Sequence, residues 1–303
     1  MPDTATRPSR LRLFLYVLLC MTVAAALLTG VLLRWDEQLK LYWQEQFVDA
    51  GQRAASIWLP DYQLVLQTTL VGLEEDETSG LTWNPATGTL FTVTGQNPQL
   101  IEFSTGGVVL RRITLSGFSD PEAVEALGYG LLDIVDERRR LVAVYRFSPG
   151  VEHLELDDLA TYDLGFDGAG NKGFEGLAWN PRTQRMLLAK ERDPHGLFEL
   201  PFPGEEGAAG VLEPLPYQSL LVRDISSVTI DPRTGHTLML SDESRLLVEL
   251  DLLGRPLSFI SLLGGLNGLV EGIDQAEGVA MDAFGDIYVV GEPNRFYVFS
   301  RKR

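Results

Sequence analysis

Five stretches of this 303-residue chain begin alike, and that self-similarity restricts the fold more than any other feature of it. They are Ser79-Gly80-Leu81-Thr82-Trp83-Asn84, Glu122-Ala123-Val124-Glu125-Ala126-Leu127, Glu175-Gly176-Leu177-Ala178-Trp179-Asn180, Ser226-Ser227-Val228-Thr229-Ile230-Asp231 and Glu277-Gly278-Val279-Ala280-Met281-Asp282. Their starts lie 43, 53, 51 and 51 residues apart. A proline turn follows in three units (Asn84-Pro85, Asn180-Pro181 and Asp231-Pro232), and Asp282-Ala283-Phe284-Gly285 takes its place in the fifth. Proline presets φ for such a turn and a later glycine takes the left-handed position, so each turn should close a hairpin. Second strands are expected at Leu90 to Thr94, Leu131 to Asp136, Met186 to Ala189, Leu238 to Leu240 and Ile287 to Val290. Further strands are expected at Gln99 to Phe103, Leu141 to Phe147, Leu246 to Leu250 and Phe296 to Phe299.

Repeats of about 40 to 50 residues built from short antiparallel strands predict an all-β chain, a β-propeller. Counting them gives five blades, with six as the alternative. The last unit holds only three strands, whereas Tyr62 to Leu70 (YQLVLQTTL) is a strand-like run with no hairpin partner. The two should complete one blade, which removes a free sheet edge.

The residues Asn171-Lys172-Gly173-Phe174-Glu175-Gly176-Leu177-Ala178-Trp179, Leu188-Ala189-Lys190-Glu191-Arg192, Asp120-Pro121-Glu122-Ala123-Val124 and Ile134-Val135-Asp136-Glu137-Arg138 resemble the SdiA-regulated (YjiK-like) family of bacterial proteins. The likeness runs from about Tyr62 to Arg303. It implies an N-terminal membrane segment, an exported five-bladed propeller distantly similar to NHL-repeat propellers, and calcium. It implies no reaction.

Equivalent positions on the innermost strands converge on the axis of a propeller. The first repeat position carries Glu122, Glu175 and Glu277, with Ser79 and Ser226 in the other units. The end of the second strand carries Glu137, Glu191, Asp242 with Glu243, and Glu292. Two carboxylates about 4 Å apart repel by roughly 4 kcal/mol at an effective dielectric of 20, so a ring of them needs a cation, protons or basic partners. Oxygen-only donors suit calcium or magnesium, and Glu122, Glu137, Glu175, Glu191, Asp242, Glu277 and Glu292 are the candidate ligands. Ion pairing with Lys190, Arg192, Arg138 or Arg223 is the competing account. Asp167 and Asn171 are possible further donors, while His153, His195 and His236 fall in expected turns or loops and read as solvated. Gly168 to Gly173 matches a dinucleotide pattern, but a β unit follows where a helix is required, so it reads as a loop.

Leu13 to Leu33 holds 21 residues without a charge, enough to cross a bilayer core of about 30 Å as one helix. A cleaved signal peptide has a shorter apolar region, and Leu18 and Leu19 stand where small residues would precede a lipidated Cys20. The expected division is a tail at 1–12, a transmembrane helix at 13–33, a helical stalk at 34–60 and the propeller at 61–303. Arg7, Arg10 and Arg12 precede the apolar run and Asp36, Glu37 and Glu45 follow it, which places the tail in the cytoplasm and the propeller in the periplasm or outside. From Trp35 onward the chain carries 21 basic and 41 acidic residues, a field that repels nucleic acid and favours cationic ligands. Cys20 is the only cysteine, so the domain beyond it has no disulfide and no thiol nucleophile.

Two functions are expected on these grounds. One is a bilayer-anchored, calcium-binding module that holds a small molecule or protein on its propeller face. The alternative is a lactonase- or phosphoesterase-like hydrolase that uses a central cation as Lewis acid. That alternative rests on fold analogy.

Overall fold

The structure, a computed structural model, describes residues 10–32, 35–128, 130–165, 173–192, 195–202, 210–216 and 220–302. Asp167, Asn171 and the glycine pattern up to Lys172 lie outside them, as do Arg7, Leu33, Arg34 and Arg303. Two compact units divide between Lys40 and Leu41. In the first, α1 (Arg10–Leu32) carries the apolar run, and its Arg10–Gly30 portion is long and apolar enough to cross a membrane by length and composition.

The second unit is a propeller of five blades. β1 (Tyr62–Thr69) comes first, and β2 (Thr78–Asn84), β3 (Thr89–Thr94), β4 (Gln99–Phe103) and β5 (Val109–Ser116) form blade one. Blade two takes β6 (Pro121–Gly128), β7 (Leu131–Asp136) and β8 (Leu141–Arg146); β9 (His153–Glu155) turns back to pair in parallel with β5, and β10 (Ala160–Asp163) then closes blade two. Blade three is β11 (Phe174–Asn180), β12 (Arg185–Lys190), β13 (Gly196–Pro201) and β14 (Glu213–Pro214). Blade four is β15 (Ser227–Ile230), β16 (Thr237–Ser241), β17 (Leu246–Leu250) and β18 (Pro256–Ser261). Blade five joins β19 (Ala276–Met281), β20 (Ile287–Gly291) and β21 (Arg295–Arg301) to β1, as the chain ends predict.

In blades one, three, four and five the hairpin between the first and second strands forms because an Asn or Asp precedes the proline or its substitute. Its side chain accepts from the backbone two residues on: Ala86 N–H to Asn84 at 3.0 Å, Arg182 N–H to Asn180 at 3.0 Å, Arg233 N–H to Asp231 at 3.1 Å and Phe284 N–H to Asp282 at 2.9 Å. The left-handed residue follows as Gly88, Gln184, Gly235 or Gly285. Gln184 shows that the position tolerates a side chain when the Asx bond is kept.

Strand side chains alternate, so each blade feeds two cores. Leu187 joins a cluster with Val228 and Met239 of blade four, while its neighbour Leu188 joins one with Val135 and Val142 of blade two. The same sharing links blades one and two, four and five, and five and one. Both faces of each blade are therefore buried, which accounts for the continuous apolar runs of the second strands.

The five first strands β2, β6, β11, β15 and β19 stand beside one another in a closed ring. Small residues at the second repeat position allow the close approach. A Cβ on Gly278 would fall 2.7 Å from the carbonyl carbon of Gly80, and one on Gly176 would fall 3.1 Å from the backbone nitrogen of Val228. Hydrogen bonds tie the ring: the Ser79 hydroxyl donates to the Glu122 carbonyl at 2.9 Å, and Ser226 to the Ala276 carbonyl at 2.6 Å.

The stalk segment is helical in two pieces: α2 (Trp35–Glu45) ends and α3 (Ala50–Ala54) restarts, because Asp49 caps α3 by accepting from Gln52 N–H while Gln52 accepts from Asp49 N–H. Within the second unit this segment is packed: Leu41 is buried with Val222 and Val248, and Glu45 accepts from Phe259 N–H at 2.9 Å. His236 departs from the expectation of a solvated histidine. It sits in its hairpin turn but is buried, with Nδ1 2.6 Å from Glu249.

Candidate metal centre

All five first strands run the same way through the ring, so the first repeat position of every blade lies at one mouth. The second strands are antiparallel to them and end at that same mouth. Glu122, Glu175 and Glu277 each occupy a break in register: between Pro121 and Ala123, Phe174 and Gly176, and Ala276 and Gly278. These are β-bulges, which leave one residue outside the ladder and re-aim its side chain.

Burial and mutual charge set the protonation of this mouth. Burial above all pushes Glu122 up to about 8, opposed by the Ser79 hydroxyl and reinforced by Asp120 and Glu137. Glu175 is pushed up to about 11 by burial and then by Glu191, Glu277, Glu122 and Glu137. Glu277 is raised well above its ordinary value by burial and then by Asp242, Glu292 and Glu122. Glu137, Glu191 and Glu292 are raised as well, in each case chiefly by burial.

Three carboxylates come within coordinating reach of one cation. One oxygen each from Asp120, Glu122 and Glu137 lies within 4.8 Å of the others. Glu137 Oε1 also accepts from Gly173 N–H at 2.5 Å, which fixes that side chain, and Asp120 Oδ2 pairs with Arg138 at 2.9 Å. The donor set is oxygen only, as a hard cation requires. Among the described residues Glu175, Glu191, Asp242, Glu277 and Glu292 do not join this triad. Glu191 is bridged by Arg192, which also reaches Glu243 at 2.8 Å. Asp242 accepts from Ala276 N–H at 3.3 Å, and Glu292 from the Gln275 amide at 2.6 Å. Lys190 is buried and donates to the Arg192 carbonyl.

Asp120 and Asp224 are functional candidates that the repeat alignment passes over. Asp224 is buried, accepts from Ser241 and from Glu243 N–H, and adds to the charge on Glu191 and Glu277. Both stand two residues before the first repeat position, and Glu77 is their counterpart in blade one. Extending the alignment by two residues displays a third tier of acids at the same mouth.

A sequence profile of the SdiA-regulated family matches residues 54–300. The chain belongs to the SdiA-regulated family. Among solved structures it is similar to a chain of a nidogen/laminin complex, with a TM-score of 0.48, 13% identity, and 71% of this chain and 72% of that chain covered. It is also similar to a structural genomics protein of unknown function from Bacteroides thetaiotaomicron, with a TM-score of 0.47, 9% identity, and 78% and 72% covered.

In this SdiA-regulated propeller the acidic mouth makes stability depend on pH, in the same direction as the buried Glu45, Glu125 and Asp133 elsewhere in the domain. The fold raises Glu122, Glu175 and Glu277 from 4.5, so between about 4.5 and 8 it holds protons that the unfolded chain has released. More protons on the folded state mean that stability falls as pH rises. Asp231 and Asp251 are held below 3.8 by Arg233 and Arg255 against the opposing effect of burial, so their contribution is constant across that window. With a chelator present, the melting temperature should drop by several degrees between pH 5 and pH 8. A flat or rising profile would show that these carboxyls ionise freely in the fold.

Proposed function

We propose that this protein is a single-pass protein of the bacterial inner membrane whose exported propeller binds calcium at its acidic mouth and acts as a ligand- or partner-binding module. The approach of Asp120, Glu122 and Glu137 within 4.8 Å carries the reading. These three residues would hold the ion, and Glu175 and Glu277 would stand behind it as further negative charge. A bound divalent cation supplies positive charge to carboxyls that otherwise must keep their protons. Because Glu137 also holds Gly173 at the start of blade three, the ion would stiffen the ring rather than open it.

The anchoring half of the reading is supported by α1 and by the aromatic residues beyond it. Tyr42, Trp43 and Phe47 are exposed, and Trp43 meets Phe47 edge to face at 5.5 Å. Exposed aromatics close after an apolar helix suit the headgroup level of a bilayer. Among the described residues, His153 pairs with Glu155 on the outer edge of blade one and His236 with Glu249 in a hairpin turn of blade four, so neither stands at the acidic mouth.

Calorimetry of the full chain with and without calcium tests the site. A cation that binds only the folded state at about 100 times its dissociation constant adds roughly 2.7 kcal/mol. For a domain of this size that corresponds to a rise of about 5 to 10 °C. Glu122→Gln keeps the shape but removes one ligand charge, and should lose most of that rise. An unchanged response in Glu122→Gln, or none in the native chain, would identify the mouth as a network of protons and ion pairs.

A further inference from the structure

The mouth opposite the acids is of another kind. The ring opens there into a cavity of about 510 Å³, walled by Trp83, Trp179, Ile230 and Met281 and rimmed by Pro181 and Pro232. Trp83, Ala126, Trp179, Ile230 and Met281 share the fifth repeat position, so the apolar wall is as much a product of the repeat as the acidic ring is. One position deeper the blades present Thr82, Glu125, Ala178, Thr229 and Ala280. Glu125 is thus a solitary acid, and among the described residues lining the cavity it is the only one that carries a charge.

Its carboxyl is held in place from both sides. Oε1 accepts from Trp179 N–H at 2.9 Å, Oε2 accepts from the Thr82 hydroxyl at 2.8 Å, and that hydroxyl in turn accepts from Ala126 N–H at 3.1 Å. Directly across the ladder, β7 places Asp133 opposite Glu125. Asp133 is fully buried, and neither of its oxygens has a hydrogen-bond partner in the protein. A buried carboxyl with no partner costs free energy and contributes nothing to packing that an apolar side chain would not. Its effect is to add acid behind Glu125. Burial pushes Glu125 up to about 7 and Asp133 well above its ordinary value, so the pair accommodates one negative charge more readily than two.

We infer that this second mouth binds a small monocationic amine carried on a flat apolar body, with the ammonium on Glu125 and the body between Trp83 and Trp179. Indole faces attract cations as well as apolar groups, one buried carboxyl matches one positive charge, and no basic side chain competes among the lining residues. The site is independent of any metal at the acidic mouth, which lies at the other end of the same strands. Glu125 stands three positions along β6 from Glu122, a span of about 10 Å.

Calorimetry of the full chain in zwitterionic lipid nanodiscs, with empty discs subtracted, tests this with three probes: phenethylamine, its neutral isostere 2-phenylethanol, and anionic 3-phenylpropanoate. Phenethylamine should bind one to one with a dissociation constant below about 1 mM, as its size permits. The alcohol and the carboxylate should bind at least tenfold more weakly. Glu125→Gln should erase the difference between amine and alcohol. Because that variant alters a buried group, Ala283→Lys on the exposed rim provides a second reading, and should weaken the amine several-fold while leaving the alcohol unchanged. Equal binding of amine and alcohol by the native chain, or no amine binding up to 10 mM by a folded native chain, would overturn the inference.

Discussion

Deleting residues 62–70 from the chain should abolish cooperative thermal unfolding and drive the protein into aggregates. β1 pairs with β21 from Tyr62 opposite Arg301 to Thr69 opposite Arg295, and the seam is pinned at both ends. Leu70 N–H donates to the Asn294 carbonyl at 2.8 Å while the Asn294 amide returns a bond to the Leu70 carbonyl, and Arg301 meets Asp61 at 2.8 Å. Tyr62 and Leu70 are buried in two different inter-blade cores, and Leu64 and Leu66 pack against the same two. Each such side chain contributes about 1.5 to 3 kcal/mol when fully buried, so losing the strand removes an amount comparable to the whole 5 to 15 kcal/mol stability of a domain. It also bares β21 as a long apolar edge, an invitation to pair with another chain. Scanning calorimetry and size-exclusion chromatography check this. A deleted chain that stays monomeric and melts cooperatively within a degree or two of the native one would show that blade five closes without β1.

The seam is legible in the sequence because β1 alternates and has no local partner to claim it. Four of the five hairpins are legible for a similar reason: the Asn or Asp before proline, or before Ala283 in blade five, acts within four residues, so its effect is written locally. The metal candidates are only half legible. Repeat alignment finds Glu122 and Glu137, which the structure brings together, but it passes over Asp120, because that offset lies before the shared motif and carries an acid only in blades one, two and four, with Gly173 and Gln275 in blades three and five. β9 leaves no local signal, since its pairing partner β5 lies across the whole of blade two's first three strands. Asp133 reads as part of an apolar strand. Its significance emerges only when β6 sets Glu125 opposite it.

Glu249 illustrates the same limit most sharply, and Glu249→Ala should cost about 3 to 5 kcal/mol. Within LLVEL of β17 it looks like an outward-facing acid on a strand. In the structure it is fully buried, because the segment joining α3 to β1 lies over it. Its Oε1 accepts from Ile57 N–H at 2.8 Å and its Oε2 from Trp58 N–H at 3.0 Å, residues 192 and 191 positions away. The Ser258 hydroxyl donates to Oε2 at 2.5 Å, and His236 Nδ1 stands 2.6 Å from Oε1. Ser258 is itself a relay, since its oxygen accepts from Leu59 N–H at 3.0 Å. Alanine removes the acceptor and leaves two backbone donors and a hydroxyl buried without partners, each costing about 1 to 3 kcal/mol. Part of that is recovered as water enters, which sets the sum near 3 to 5 kcal/mol, the range for breaking a buried charged network. The melting temperature should fall by roughly 6 to 20 °C. Ser258→Ala, which removes one donor and one acceptor together, should cost only about 1 to 2 kcal/mol. Amide exchange at Ile57 and Trp58 distinguishes the outcomes: both should lose protection in Glu249→Ala well before the propeller strands do. If they stay protected and the loss is below about 1 kcal/mol, the segment is held by Ile57 and Leu59 in the core of blades four and five, and Glu249 is incidental to it.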